Sequence, residues 1–449
     1  MVEVSSLLND STALSLGRGV RALSTPQRQL AIKLFEELKA TSLSGIGVSR
    51  ETYGTSETAA IEVIERYARK AGLETTVDPA CNLRVRLPGK NFAQPCVATG
   101  SHLDSVPKGG NFDGAAGVVA GLCVLLDAQE RGSLERDIVL YALRGEESAW
   151  FGGPCYFGSR ALFGGLTTED FASPHRNGHK TLEDSMRETG ADIELLKSGQ
   201  AIIDPGDIAY WFELHIEQGP VLISREKPIG LVTGIRGNVR HRRVTCYGEA
   251  AHSGAVPRWL RHDAVLAMAD LLVRIDEHWR ILLEWGEDLV VTAGVVETNP
   301  MEHAVSRVPG EVTFALEYRS QNSETLESFG ALLGSECELV GEKRGVKFDL
   351  GMPSKTAPAK MSSIIVELLE DVCNYCNFDY EVMPSGAGHD SSVFANAGVQ
   401  SGMIFVRNEK GSHNPHEAMD FDDFFQATEI LNTAMQIAAQ DSEGSIGHG

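Results

Sequence analysis

One apolar run constrains the fold of this chain more than any other feature. DIVLYALRG (137–145) is almost continuously apolar, which is typical of a strand that is buried on both faces. A strand, PCVATGSH (95–102), and a long apolar helix, FDGAAGVVAGLCVLLDAQERG (112–132), come before it. Strands that alternate with helices predict an α/β domain, with a largely parallel sheet and helices on its outside.

The middle of the chain has a different pattern. A half-exposed strand (240–250), a helix (261–279), two further strands (288–298 and 310–320) and a second helix (324–340) follow one another. This β-α-β-β-α order is typical of a small α+β sandwich, whose helices lie on one face of an antiparallel sheet. We therefore predict a separate small domain in this part of the chain.

After this domain the chain returns to helix, strand and helix over residues 361–440. A length of 449 residues also favours two or more lobes. We therefore predict that residues 231–346 are inserted between the first part (1–230) and the second part (347–449) of a larger α/β domain.

The composition excludes some classes of partner. The chain has 62 Asp and Glu against 40 Lys and Arg, a net charge of −22, which disfavours binding to nucleic acid. No stretch approaches the roughly 20 apolar residues of a membrane span, so we predict no membrane partner. The opening residues, MVEVSSLLND, do not resemble a secretory signal, and the 8 cysteines are scattered as reduced thiols are. We expect a cytoplasmic protein.

Polar residues follow the strand at 95–102. His102 and Asp104 lie two residues apart, so their side chains leave the same face, and Asp113 lies in a glycine-rich turn before the next helix. A histidine with a nearby carboxylate suits a metal ligand and the acid that orients it. The alternative, which stays open from these residues, is that His102 is a core histidine and Asp113 a helix N-cap.

Two adjacent acids, Glu146 and Glu147, directly follow the buried run. Adjacent carboxylates at the end of a buried strand are costly unless a cation offsets them. Because neighbouring strand residues point to opposite sides, one acid can bind a metal while the other faces a substrate as a base. The alternative is a solvated pair of loop acids.

Two further histidines complete the set. His215 ends the apolar strand of WFELHIEQGPVL, with Gln218 just beyond it, and His413 precedes a turn in GSHNPHEAM. Imidazoles and hard carboxylates together suit Zn²⁺ or Mn²⁺, and strand ends are where open α/β sheets bind ligands. Five candidate ligands result, enough for two metal ions that share one carboxylate: His102, Asp113, Glu147, His215 and His413. These residues predict a metal hydrolase.

Six motifs carry a resemblance to a known family: HLDSVPKGGNFDG, RGEES, ELHIEQGPVL, GEAAHSG, SGAGHDS and SHNPHE. In this order they resemble the motifs of the hydantoinase/carbamoylase amidases of the M20 metallopeptidase clan. This group includes N-carbamoyl-L-amino-acid hydrolases, allantoate amidohydrolases, ureidoglycolate amidohydrolases and β-ureidopropionases. The resemblance runs from about residue 45 to residue 440. It implies a zinc-peptidase-like catalytic domain with a mixed, largely parallel sheet, and an inserted α+β lid and dimerisation domain.

The resemblance also implies a metal site. Asp113 resembles a carboxylate that bridges two divalent ions, which are Zn or Mn, with Co or Ni as further possibilities. One ion would be held by His102 and His215, and the other by Glu147 and His413.

Catalytic roles are implied in the same way. Glu146 resembles the general base that deprotonates a water bridging the two metals, and Asp104 resembles the acid that orients His102. His252 in GEAAHSG resembles the lid histidine that stabilises the oxyanion and binds substrate, usually across a dimer.

Substrate contacts are implied at three further positions. Gln218 resembles a substrate-binding residue, and Arg319 in EYRS resembles the arginine that holds a substrate carboxylate. Ser306 in SRVPG stands where the family usually has Asn. Val256 and Arg258 also depart from the family's lid motif, so the substrate contacts are expected to differ from those of relatives.

The implied activity is hydrolysis of the C–N bond of an N-carbamoyl amino acid or a related ureido acid. The implied assembly is a homodimer formed through the lid domain. Two alternatives stay open: an M20-type aminoacylase or dipeptidase, and a non-catalytic homologue that binds a small acid.

Overall fold

The structure, a computed structural model, describes residues 22–42, 45–132, 134–153 and 155–440. Residues 1–21, which include the stretch MVEVSSLLND at the start of the predicted first domain, lie outside the described residues. The chain divides into two compact units. The first combines the chain up to Thr233 with the chain from Lys360, and the second is Gly234–Ala359.

The second unit ends later than the predicted boundary at residue 346. Strands at Lys347–Asp349 and Ser354–Thr356 pair with the strand Gly237–Tyr247, so these residues belong to the small sheet. The predicted assignment of residues 347–359 to the larger domain therefore differs from the structure.

In chain order the strands are β1 (Glu74–Val77), β2 (Leu83–Leu87), β3 (Cys96–His102), β4 (Ile138–Leu143), β5 (Ile208–Ile216), β6 (Ile229–Ile235), β7 (Gly237–Tyr247), β8 (Ala251–His252), β9 (Val290–Glu297), β10 (Arg307–Val308), β11 (Glu311–Ser320), β12 (Lys347–Asp349), β13 (Ser354–Thr356), β14 (Ala359–Lys360), β15 (Tyr380–Ser385), β16 (Gln400–Val406), β17 (Asn408–Glu409) and β18 (Ala418–Met419).

The helices, again in chain order, are α1 (Thr25–Ala40), α2 (Thr55–Lys70), α3 (Ala115–Arg131), α4 (Phe157–Leu162), α5 (Thr168–Phe171), α6 (Leu182–Thr189), α7 (Ile193–Lys197), α8 (Val221–Arg225), α9 (Ala264–Glu284), α10 (Ser323–Arg344), α11 (Ser363–Cys376), α12 (Ser391–Asn396) and α13 (Phe421–Gln440). None of the helices within the described ranges is both long enough and apolar enough to cross a membrane.

The sheet of the first unit has a parallel centre. Within the described residues its strands follow the order β1-β2-β4-β3-β5-β16-β6-β14, and β15 also pairs with β6. β3 runs parallel to β4 and β5, and β5 runs parallel to β16, whereas β1, β2 and β6 join antiparallel to their neighbours. The predicted mixed α/β sheet is confirmed.

Strand β4 is buried along its whole length because helices cover both faces of the sheet. Leu140 belongs to the core that includes α3, whereas its neighbour Tyr141 belongs to a second core with Trp211 and Phe394. The rings of Trp211 and Phe394 stack with centroids 3.6 Å apart. Alternate residues of one strand thus enter two different cores, which explains the continuous apolar run.

The second unit is an antiparallel sheet with helices packed on it. Its strands follow the order β12-β7-β11-β9, and β13 also pairs with β7. Helices α9 and α10 contact each other and the sheet, and their core includes Leu271, Phe314 and Phe329. The element order β7-α9-β9-β11-α10 matches the predicted α+β pattern. The roles of this unit as a lid and in dimerisation stay predictions.

A buried ion pair joins α2 to the end of β4. Arg144 Nη1 lies 2.7 Å from Glu57 Oε2, and both side chains are almost completely buried. Glu57 also accepts hydrogen bonds from the backbone N–H groups of Tyr53 and Gly145. The pair therefore fixes the backbone immediately before Glu146.

We predict that Glu57→Ala lowers the free energy of unfolding of the first unit by about 3–5 kcal/mol, because it leaves the Arg144 charge buried without a counter-charge. Urea denaturation of the full chain would measure the loss. Arg187→Ala, which removes the exposed helical pair with Glu183, is the matched control and should change the unfolding free energy little. Equal effects of the two substitutions would contradict the prediction.

Candidate metal centre

The candidate metal centre lies where three parallel strands of the first unit end. His102 is the last residue of β3, His215 is the penultimate residue of β5, and Glu146 and Glu147 follow β4 closely. Because parallel strands end at the same edge of a sheet, residues far apart in sequence meet there.

Asp113 lies at the centre of this group. Its Oδ1 is 3.4 Å from His102 Nε2 and 3.2 Å from His215 Nε2, and its Oδ2 is 3.5 Å from His413 Nε2. His413 Nε2 is also 3.3 Å from Glu147 Oε1. The structure thus brings the five predicted ligands into two groups of three that share Asp113, with donor atoms in each group within 4.8 Å of one another.

The donor set fits divalent cations. Asp113 Oδ1 and Glu147 Oε1 are buried, and neither has a hydrogen-bond partner among the described residues. A buried carboxylate oxygen without a partner is costly unless a positive charge compensates it. Imidazole nitrogens and carboxylate oxygens, without a cysteine, suit Zn²⁺ or Mn²⁺.

Both buried histidines direct the same nitrogen at Asp113. His102 Nδ1 lies 3.1 Å from the backbone oxygen of Asp104 and 3.2 Å from its Oδ1, and His215 Nδ1 lies 2.9 Å from the backbone oxygen of Ile216. Because these acceptors require a proton on Nδ1, each ring in its neutral form has its lone pair on Nε2, the nitrogen that lies near Asp113.

Asp104 connects the end of β3 to the turn after β4. Its fully buried carboxylate accepts hydrogen bonds from the backbone N–H groups of Glu146 and Glu147, both at 3.1 Å, and from the hydroxyl of Thr52. One side chain therefore touches His102 and also sets the position of both acids.

Glu146 lies beside the two groups. Its side chain is 12% exposed, and its Oε2 is 3.8 Å from His102 Nε2. Burial raises the pKa of Glu146 well above its ordinary value; His102 opposes this shift and Glu147 adds to it. A carboxyl group with a raised pKa next to a metal-ligating cluster suits proton transfer.

Gln218 and His389 also border the centre. Gln218 Nε2 donates a hydrogen bond of 2.7 Å to Asp113 Oδ2. The ring of His389 packs edge-on against His215 at 4.5 Å, and its Nε2 lies 3.0 Å from Ser385 Oγ. His389 thus borders the candidate metal centre and belongs to neither group of ligands.

Three predicted site residues lie in the second unit. His252 is exposed and accepts hydrogen bonds at Nδ1 from two backbone N–H groups of its own loop. Ser306 lies close to it, because its backbone oxygen accepts a hydrogen bond from Ser253 N–H. Arg319 forms an ion pair with Glu317. The parts of His252, Ser306 and Arg319 in catalysis or substrate binding stay predictions.

Sequence reasoning missed Glu417, which is buried beside Asp113. Its Oε1 accepts hydrogen bonds from the backbone N–H groups of Phe112 at 2.8 Å and Asp113 at 3.3 Å. Its Oε2 accepts a hydrogen bond of 2.6 Å from Ser412 Oγ. The available signal was its place in SHNPHE, four residues after His413, but an acid in a polar loop resembles a solvated residue.

Asp390 is a second buried acid that sequence reasoning missed. It is fully buried at the start of α12, where it accepts a hydrogen bond from Ser159 Oγ. Burial, together with the nearby buried Glu213, raises the pKa of Asp390 to about 7. Its position next to His389 in SGAGHDS was the available signal.

Comparison with known proteins identifies the family. The sequence profile of peptidase family M20/M25/M40 matches residues 98–437. The chain belongs to this family. The family match, like the relatives below, confirms the prediction of a hydrolase.

Individual relatives agree with the motif resemblance. An N-carbamoyl-L-amino acid amidohydrolase of Geobacillus stearothermophilus is 34% identical over 395 residues, covering 87% of this chain and 94% of the relative. The allantoate amidohydrolase of Escherichia coli strain K12 is 31% identical over 388 residues, covering 86% and 91%. A crystal structure of a hydantoinase/carbamoylase family amidase from Burkholderia multivorans superposes with a TM-score of 0.83 at 26% identity, covering 94% and 99%. The predicted resemblance to this group is confirmed.

We predict a pH-dependent contribution of Asp390 to stability. In the folded protein the pKa of Asp390 is about 7, above its ordinary value of 3.8. The contribution of Asp390 to the unfolding free energy is therefore complete below pH 3.8 and is lost as the pH rises through 7. Between about pH 5 and about pH 8 the unfolding free energy of wild type should fall more than that of Asp390→Asn.

Urea denaturation of chelator-treated protein would measure this difference, because cation binding has its own pH dependence. Parallel pH profiles for the two proteins would show that Asp390 does not titrate in this range.

Proposed function

We propose that the chain is a dinuclear metal-dependent amidohydrolase that cleaves the C–N bond of an N-carbamoyl amino acid or a related ureido acid. The observation that carries this proposal is the pair of ligand groups sharing Asp113, with Glu146 beside them. The amidohydrolases among the relatives supply the substrate class.

His102 and His215 would hold one cation, and Glu147 and His413 the other, with Asp113 contacting both. Zn²⁺ or Mn²⁺ suits these donors best, and Co²⁺ or Ni²⁺ is also compatible with them. When bound, two such cations supply Lewis acidity that lowers the pKa of water and polarises a carbonyl group.

Glu146 would move the proton. As a carboxylate it takes a proton from the attacking water, and as a carboxylic acid it gives the proton to the leaving nitrogen. Asp104 supports this role, because its carboxylate accepts the backbone N–H of Glu146 while it contacts His102. The reaction consumes water and releases the amino acid together with a carbamate, which decomposes to carbon dioxide and ammonia.

Substrate recognition would involve further residues beyond the metal ligands. Gln218 donates to Asp113, so its amide is within reach of a ligand bound at the centre. For Arg319 as the carboxylate-binding residue and His252 as the oxyanion-stabilising residue, the proposal rests on the resemblance alone. Ser306, with a shorter side chain than the usual Asn, would alter the substrate contacts. A homodimer through the second unit belongs to the same proposal.

We predict that Glu146→Gln lowers kcat by about 10²–10⁴-fold, because the amide cannot accept the proton of the water. The variant should still bind both cations, since Glu146 belongs to neither ligand group. Steady-state kinetics with parallel metal analysis would measure both properties. Glu429→Gln, a buried glutamate elsewhere in the first unit, is the control and should keep wild-type kcat. Turnover of Glu146→Gln at the wild-type rate would defeat the assigned mechanism.

We also predict that the enzyme releases ammonia from N-carbamoyl amino acids or other ureido acids, and no amino acid from dipeptides or N-acetyl amino acids. The assay would test N-carbamoyl amino acids, allantoate, ureidoglycolate and β-ureidopropionate after chelation and reloading with Zn²⁺, Mn²⁺, Co²⁺ or Ni²⁺. Cleavage of dipeptides or N-acetyl amino acids alone would favour an aminoacylase or dipeptidase. Binding without turnover of any substrate would indicate a non-catalytic homologue.

A further inference from the structure

The two ligand groups are supported differently. The group of His102, Asp113 and His215 takes both histidines from β3 and β5, which pair directly in the centre of the sheet. The other group depends on His413, which lies in the loop between β17 and β18. The side chain of His413 is 52% exposed and its φ is +60°. A residue on an exposed loop needs other contacts to keep its position.

Glu417 supplies such contacts at the end of the same loop. Its carboxylate accepts the N–H groups of Phe112 and Asp113 with one oxygen and the hydroxyl of Ser412 with the other. One side chain therefore joins the segment that carries the shared ligand Asp113 to the segment that carries His413.

Ser412 strengthens this connection. Its hydroxyl lies within hydrogen-bonding distance of both Asp113 Oδ2 and Glu417 Oε2, although it has a single proton to donate. The residue next to His413 is thus held between two carboxylates, one of them the shared ligand.

Gly110 shows how closely the Glu417 carboxylate packs. A Cβ atom at position 110 would lie 2.0 Å from Glu417 Cδ and Oε1, far inside contact distance. A side chain at this position would displace the carboxylate, so the absence of a side chain at Gly110 makes room for it.

We propose that Glu417 is a positioning residue for the second cation, the one held by Asp113, Glu147 and His413. By joining the 110–113 segment to the 412–417 loop, it keeps His413 within coordinating distance of Asp113. This inference rests on the proposed function, which requires two cations. Loss of Glu417 would weaken the binding of the second cation selectively, because the histidines of the first group are held by strands.

The test is a calorimetric titration of chelator-stripped full-length protein with Mn²⁺. Elemental analysis after gel filtration would count the metal ions that the protein retains. Wild type should bind two ions per chain. Glu417→Ala should keep the first ion at wild-type affinity and bind the second about 10–100-fold more weakly, as is typical when a residue that orients a ligand is lost.

Glu417→Gln should restore binding of the second ion to within a few-fold of wild type. The amide oxygen can accept the same two N–H groups, and the amide nitrogen can donate to Ser412, whose proton then serves Asp113. A general loss of packing would not be rescued by this change alone.

Glu429→Ala is the matched control. Glu429 is also buried, and it accepts the N–H of Leu23 and a hydrogen bond from Arg28, away from the ligand groups. This substitution should lower the thermal stability of the metal-free protein and leave the binding of both ions unchanged.

Gly110→Ala tests the same contact without removing Glu417. As a single substitution it should lower the affinity for the second ion. Added to Glu417→Ala, it should cause no further loss of affinity, because the carboxylate is already absent. This variant also keeps the inference testable if Glu417→Ala does not fold.

Two results would overturn the inference and leave the proposed function intact. Glu417→Ala could bind both ions at wild-type affinity, or it could lose affinity for both ions equally. Fewer than two ions bound by wild type would instead contradict the proposed function, and the inference with it.

Discussion

The candidate metal centre depends on the burial of many carboxylates at one edge of a parallel sheet. Five acids contribute to it: Asp104, Asp113, Glu146, Glu147 and Glu417. Withdrawing a carboxylate from water costs several kcal/mol unless positive charge or hydrogen bonds offset the loss. Backbone N–H groups satisfy Asp104 and Glu417. In contrast, Asp113 Oδ1 faces His102 and His215, and Glu147 Oε1 faces His413. Neither oxygen has a hydrogen-bond partner in the described part of the chain, so both keep the capacity to hold cations. The local sheet geometry is therefore tied to metal binding.

Much of this arrangement could be predicted from sequence, because the ends of buried strands are visible as the ends of apolar runs. The run before Glu146 identified β4, and the runs before His102 and His215 identified its neighbours. Parallel order then requires the three ends to meet. His413 had a weaker basis in the residues themselves, since its loop has no apolar pattern; it was a candidate by residue type and its place before a turn, and the motif resemblance then implied its pairing with Glu147.

Other features have no comparable signal. Glu417 accepts hydrogen bonds from backbone N–H groups, which every residue except proline has, so its partners at Phe112 and Asp113 cannot be read from side-chain types. The boundary near residue 346 was misplaced because β12 and β13 are short and largely exposed, without the alternation that marks a strand. The partners of Glu417 and the pairing of β12 and β13 both depend on contacts between residues far apart in sequence, which the pattern of a single sequence indicates only weakly.

The interruption of the first unit has a consequence for how the nascent chain matures. β5 pairs in parallel with β16, so Gln400 lies opposite Tyr210, and the whole second unit lies between these two strands in sequence. The second unit is one continuous stretch whose contacts can form as soon as it leaves the ribosome, whereas the large sheet must wait for a distant partner. His413 is translated later still. The second candidate ligand group therefore stays incomplete until the ribosome has passed position 413.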